Sequence, residues 1–188
     1  MRWDQLFADL EAEMAAEESA ERQAEIAERT RAEVARLRLV DRLRAARAPV
    51  TVAVSGLGDW TCQIVDTGPD WVLLDGLTRG QLVVPLDAVC SVSGLAPWSA
   101  APGSEGAVAA RFHLGAVLRG VARDRVTVRV VVRDGTSFTG TVDRVGADFL
   151  ELAEHDPDEP RRARAVRGLR LVPLAALAAV AMPGSASR

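Results

Sequence analysis

The 188-residue chain contains no lysine, no asparagine and no tyrosine, and its 23 strongly basic residues are all arginine. Without lysine there is no amine nucleophile and no Schiff-base chemistry. Without asparagine, one of the usual readers of an adenine edge is missing. Such a bias is what a GC-rich bacterial genome produces. Cysteine is nearly absent too: Cys62 and Cys90 are the only two. Two cysteines make neither a disulfide framework nor a zinc pattern, and small buried thiols in a reducing cytoplasm are expected. The net charge of −3 supplies no global basic field to draw the chain onto nucleic acid. The longest strongly apolar run, Leu171 to Met182, is broken by Pro173 and falls short of the roughly 20 residues that span a bilayer. Met1-Arg2-Trp3-Asp4 leads into an acidic stretch, so no secretory signal is expected and the location expected is the cytoplasm.

What is present is a sequence written twice. Val50-Thr51-Val52-Ala53-Val54 returns as Val126-Thr127-Val128-Arg129-Val130. Val65 to Leu74 returns, with one insertion, as Val142 to Leu152, including Asp70-Trp71 as Asp148-Phe149. Arg79-Gly80-Gln81-Leu82-Val83-Val84-Pro85-Leu86 returns as Arg167-Gly168-Leu169-Arg170-Leu171-Val172-Pro173-Leu174. Three anchors in the same order indicate duplication of one small β module.

Ahead of the repeats, residues 3–47 hold neither glycine nor proline and are rich in Ala, Glu, Arg and Leu, a helical composition. Trp3, Phe7, Leu10 and Met14 are spaced four, three, four and form one apolar stripe. Residues 1–28 carry nine acids against two arginines, and residues 29–47 seven arginines against two acids. Acid early and base late suits the helix dipole; the stripe itself reads as a coiled-coil or docking face for a protein partner or a second copy. Pro49 ends the helix. Five short strands are predicted in each repeat: 50–54, 60–67, 71–75, 82–86 and 88–92, then 126–132, 137–145, 149–152, 171–174 and 177–180. Residues 96–103 are a linker. Ser104 is the expected cap of a second helix reaching about Val121, Asp134-Gly135 is a hairpin turn, and residues 183–188 a disordered tail.

One helix followed by five short strands is the element order of the Sm-like fold. Leu43-Arg44 with Pro49-Val50-Thr51-Val52, then Cys62-Gln63-Ile64-Val65, Trp71 to Leu74, Gln81-Leu82-Val83 and Ala88 to Val92, resembles the bacterial Hfq-type RNA chaperones over some fifty residues. The resemblance implies a mainly β protein with helices: two tandem Sm-like five-stranded small barrels, 48–95 and 104–182, each preceded by a helix, plus the long N-terminal helix 1–47. It also implies where bases would be read. There the family uses Lys-His, or Asn with Arg-Gly, and this chain has Pro85-Leu86 and Pro173-Leu174. Proline and leucine offer no side-chain donor to a base or phosphate.

Other chemistry is sparse. Asp70 and Asp148 fit turn residues that fix a bend, and Trp71 and Phe149 fit core. His113 and His155 stand alone, the latter in the acidic run 154–159. No P-loop, GxGxxG or Ser-His-Asp order occurs; no enzyme, cofactor or metal is expected. Arg161, Arg162, Arg164, Arg167 and Arg170, with Arg79, are the candidates for phosphate contacts, opposed by neighbouring acids and without aromatics for stacking. The expectation is a non-catalytic binding or assembly module. Its helix would dock a protein partner or self-associate. Its two barrels would pair with each other to cover their edge strands; the resemblance implies pairing of strands four and five between modules, within one chain or in a homo-oligomer. A nucleic-acid-binding regulator with weak, phosphate-dominated binding is the alternative.

Overall fold

The computed structural model describes residues 2–76, 80–101, 104, 111–157 and 166–182. The chain divides into two compact units, residues 1–38 and 39–188. In the first, α1 runs over Arg2–Val34. Its exposed surface is laced by ion pairs at helical spacing, Arg29–Glu25 at 2.7 Å and Arg31–Glu28 at 2.9 Å, each a small increment to helix stability. The expected single helix to residue 47 is interrupted: bonds of the i to i−3 type from Arg36 and Leu37 tighten the last turn. Helix resumes as α2, Leu39–Arg44, with Val40 and Leu43 buried in the second unit. Among the described residues no helix is long and apolar enough to cross a membrane.

The second unit is built on ten strands: β1 Val50–Val54, β2 Gly58–Thr67, β3 Trp71–Asp75, β4 Gln81–Pro85, β5 Val89–Ser93, β6 Thr127–Val132, β7 Ser137–Val145, β8 Phe149–Glu154, β9 Gly168–Pro173 and β10 Leu177–Met182. A third helix, α3 (Leu114–Asp124), packs on β7. All five strands expected of each repeat are there. The expected pair of separate five-stranded Sm-like barrels is not. The strands form one open antiparallel sheet in the order β5-β1-β2-β3-β4-β10-β6-β7-β8-β9. The reason lies in one pairing. Within neither repeat does the fourth strand bond to the fifth; instead β4 of the first repeat pairs with β10 of the second, Val83 opposite Val180, Leu82 opposite Ala181 and Gln81 opposite Met182. Pairing of a fourth with a fifth strand between modules was expected of a fused tandem; here it runs all ten strands into one sheet, so neither repeat stands as a separate barrel.

The duplication is visible bond by bond. Gly68 N–H donates to the Trp71 carbonyl at 2.9 Å, and Gly146 N–H to that of Phe149 at 2.8 Å. Leu86 N–H donates to Asp70 O, and Leu174 N–H to Asp148 O. A 3₁₀ turn precedes the fifth strand in both, Leu86–Ala88 and Leu174–Ala176. Val52 faces Trp60 and Val92; Val130 faces Phe138 and Val180. The spatial equivalent of Val50-Thr51-Val52 is therefore Val128-Arg129-Val130, two residues beyond the match suggested by the sequence. A shift of two keeps every side chain on its face, so alternation alone does not reveal it.

Two hydrophobic cores interlock across the junction. Ala178, Ala179 and Val131 of the second repeat sit in the core of the first, and Trp71 and Val83 of the first sit in the core of the second. Each large apolar side chain fully buried this way stabilises by about 1.5–3 kcal/mol. Arg133 adds an ion pair to Asp87 at 2.8 Å and a bond to the Asp87 carbonyl at 3.1 Å.

Candidate functional site

A broad cleft opens in the second unit. The cleft, of about 700 Å³, lies where the repeats meet and includes Asp70, Leu86, Asp87, His113, Arg119 and Leu174 in its lining. The β2–β3 bend presents Asp70. Its Oδ1 accepts the Leu114 N–H at 2.8 Å and its Oδ2 lies 3.2 Å from His113 Nδ1. A carboxylate from the first repeat thus caps the helix of the second, where it meets an otherwise orphan donor and the positive end of the dipole. Beside it the Trp71 indole N–H donates to the Phe112 carbonyl at 2.6 Å. Asp70 does more than fix its own bend.

This cap also corrects the second helix. Ser104 sits in a turn, its N–H donating to Ala101 O, and α3 begins at Leu114; residues 105–110 lie outside the described residues. The capping residue is 44 positions away in sequence, so no local pattern announces it.

The cleft brings Pro85, Leu86 and Leu174 together, the positions where the resembled family would read bases, and they are apolar here. Among the cleft's described lining residues no hydroxyl or thiol stands beside the His113–Asp70 pair. Among the described residues no group of three or more His, Cys, Asp or Glu side chains is placed to hold a metal. His155, expected in an acidic loop, is buried: Nδ1 lies 2.8 Å from the Asp156 carbonyl and Nε2 2.9 Å from the Thr141 hydroxyl. With Nδ1–H donating to the carbonyl, Nε2 accepts the hydroxyl, which makes it a satisfied core residue.

The other expected site residues separate into two groups. Trp3, Phe7, Leu10 and Met14 do share one face of α1 and are 71%, 59%, 47% and 61% exposed. The two described arginines of the candidate cluster are held by carboxylates. Arg167 pairs with Asp156 and Arg170 with Glu154, and the Arg170 guanidinium also stacks 4.0 Å above the Phe138 ring. Arg79, Arg161, Arg162 and Arg164 lie outside the described residues. Two exposed apolar residues escaped sequence reasoning, Leu169 and Leu171 on β9. The strand predicted over 171–174 begins three residues earlier, at Gly168, and lies at the sheet edge with both residues exposed.

The cysteines differ: Cys62 is buried and Cys90 exposed, against the expectation that both are buried. Burial, reinforced by the Asp75 carboxylate, pushes the Cys62 thiol up to about 11. Raised in the folded state, it contributes stability that is complete below the unfolded thiol's value of about 8.5 and is lost as pH climbs towards 11. Iodoacetamide at about pH 8 should modify Cys90 alone in the dilute native chain, and both thiols in denaturant. Mass spectrometry showing equal native labelling would contradict the burial of Cys62.

Comparison with known proteins gives no match to a family model, a curated protein or a solved structure. Beyond the sequence pattern, nothing ties the chain to the Sm-like superfamily.

Proposed function

We propose that the protein is a non-catalytic binding and assembly module whose N-terminal helix docks a protein partner. The observation that carries this reading is the stripe of four large apolar side chains on α1, all exposed. The 4-3-4 spacing is that of a helix seam. Its flanks are acidic, with Glu11, Glu13, Glu17 and Glu18 close by. The chemistry fits a second amphipathic helix with apolar seam residues and basic flanks. A synthetic helix of that composition, Leu at heptad seam positions and Arg on both sides, is the direct probe. Phe7→Ser with Leu10→Ser should abolish its binding to the full chain and leave the melting of the ten-stranded unit unchanged. If the melting falls, the stripe is core; if the double variant still binds, the stripe is not the docking face. A captured second copy of the chain would assign the stripe to self-association.

The nucleic-acid alternative has less support. The two described arginines of the cluster are engaged with carboxylates, and the cleft offers proline and leucine. Affinity for RNA should be weak, without preference among oligo-U, oligo-A and mixed sequence. It should fall about tenfold or more between low and physiological salt for a few released counterions. Tight, sequence-selective binding in a filter titration at physiological salt would overturn the module reading.

A further inference from the structure

The acidity of α1 says what its stripe should meet. Trp3, Phe7, Leu10 and Met14 are the seam; Glu11 and Glu13 sit at positions that flank such a seam, and Glu17 and Glu18 follow. Residues 1–28 carry nine acids against two arginines. Two of these stripes laid together would set acid against acid, which opposes association. The stripe fits an apolar surface edged with positive charge.

The second unit has such a surface in the cleft beside α3. Leu86, Leu174, Pro69 and Ala147 give it an apolar lining. Its two carboxylates are already engaged: Asp70 by the Leu114 N–H and His113, Asp87 by Arg133 at 2.8 Å. Its positive charge is not. Arg119 lines the cleft and is exposed, and Arg123 follows one turn later on the same side of α3. Neither pairs with a carboxylate among the described residues. Gly115 lines the cleft as well. Glycine weakens a helix relative to alanine, and nothing in the single chain requires it here. An added Cβ would meet only the Arg119 guanidinium, at 3.5 Å, the end of a flexible side chain. A second helix lying across this turn would require it, because helix axes come within about 8 Å only where the side chains between them are small.

We infer that the α1 stripe of one copy of this chain docks in the α3 cleft of a second copy. The large apolar side chains of the stripe enter the cleft, and its flanking glutamates meet Arg119 and Arg123. The lengths agree: at 1.5 Å per residue the stripe from Trp3 to Met14 and the helix α3 are each about 16 Å long. Each copy carries one stripe and one cleft, so the joint needs no other protein. Its charged part is screened by salt and its apolar part is not, so association weakens with salt without vanishing. The inference rests on the docking reading of the stripe and deepens it by naming the partner surface.

The joint has two unlike halves, which gives the test, made on the full chain by sedimentation velocity. Phe7→Ser with Leu10→Ser disables the stripe. Gly115→Leu fills the cleft, and Arg119→Glu with Arg123→Glu reverses its charge. Leucine is the better helix former, so Gly115→Leu should melt no lower than the unaltered chain while losing association, a pair of results that a purely structural glycine would not give. The unaltered chain should form dimers or larger species as its concentration rises. Each variant alone should be monomeric at the same concentrations. The stripe variant mixed with either cleft variant should form a 1:1 dimer, because one intact stripe meets one intact cleft. A monomeric unaltered chain, a mixture that stays monomeric, or cleft variants that associate like the unaltered chain would overturn the inference. In those cases the docking reading still stands if the unaltered chain binds the arginine-flanked synthetic helix and the stripe variant does not. A stripe variant that associates like the unaltered chain would overturn the inference, and one that still binds the synthetic helix would overturn the docking reading with it.

Discussion

Gly56→Ala should destabilise the ten-stranded unit far more than Gly58→Ala, although the two glycines sit in one turn with nearly the same backbone. Both have a left-handed φ, +72° and +75°, and a side chain there costs about 1–2 kcal/mol by itself. Around Gly58 an added Cβ meets nothing within 4 Å. At Gly56 it meets the Val132 carbonyl at 2.6 Å, the Gly135 amide at 2.7 Å and the Arg133 carbonyl at 2.9 Å. All three are backbone atoms of the other repeat, which cannot rotate away as a side-chain tip would. Forced backbone shifts of this kind add about 1–3 kcal/mol. Thermal melts should separate the two variants by several degrees, at about 2–4 °C per kcal/mol for a unit of this size. Equal melting would mean that the β1–β2 and β6–β7 turns do not touch, and that the repeats are not docked as described.

A second matched pair compares the mated and unmated copies of one position. Val83→Asp places a carboxylate at a site that is 1% exposed, between the two cores. A buried charge without a partner costs about 4 kcal/mol or more, a large share of the 5–15 kcal/mol that holds a typical domain together. Leu171→Asp makes the same chemical change at the equivalent position on the exposed edge, and should move the stability of the single chain by no more than about 0.5 kcal/mol. Urea denaturation at low protein concentration reads both. If the two variants unfold at similar urea, the repeats are equally buried and the β4–β10 pairing is wrong.

The local parts of this fold were legible, and so was the kind of joint, a fourth strand of one repeat against a fifth strand of the other; that the joint makes one open sheet instead of two barrels was not. Alternating Val and Thr runs, the Asp134-Gly135 turn and the proline at residue 49 placed all ten strands, since each signal sits within a few residues of the structure it makes. Asp134 shows how local such signals are: its Oδ1 accepts the Thr136 N–H at 2.8 Å, which holds its carboxyl below the usual carboxylate range. Whether a repeat closes on itself or opens to its neighbour depends on what β4 meets, and Val83 and Val180 are almost a hundred residues apart. A Val-rich strand reads the same in either case. The cap of α3 failed for the same reason, because Asp70 reaches it through space and Ser104 was merely the nearest capping residue in sequence. Cys90 was expected inside because small thiols usually are; it lies on the edge strand β5, and edges are not encoded in composition.

The candidate site divides along the same line. The α1 stripe is a spacing and was found from spacing. Leu169 and Leu171 look like ordinary strand residues until β9 is seen to have one neighbour instead of two. The arginine cluster was a matter of counting; Arg167 and Arg170 are held by Asp156 and Glu154, whose charges were noted as opposing them but whose pairing needed the structure.

The most direct measurement is of strand pairing in solution. In a nuclear Overhauser spectrum of the dilute, monomeric chain, backbone protons of Val83 should show cross-strand contacts to Val180, and those of Leu82 to Ala181, in an antiparallel pattern. That result is required if the two repeats form one sheet through β4 and β10. Contacts from Val83 to the fifth strand of its own repeat, around Val92, would mean that each repeat closes on itself, and would contradict the single sheet.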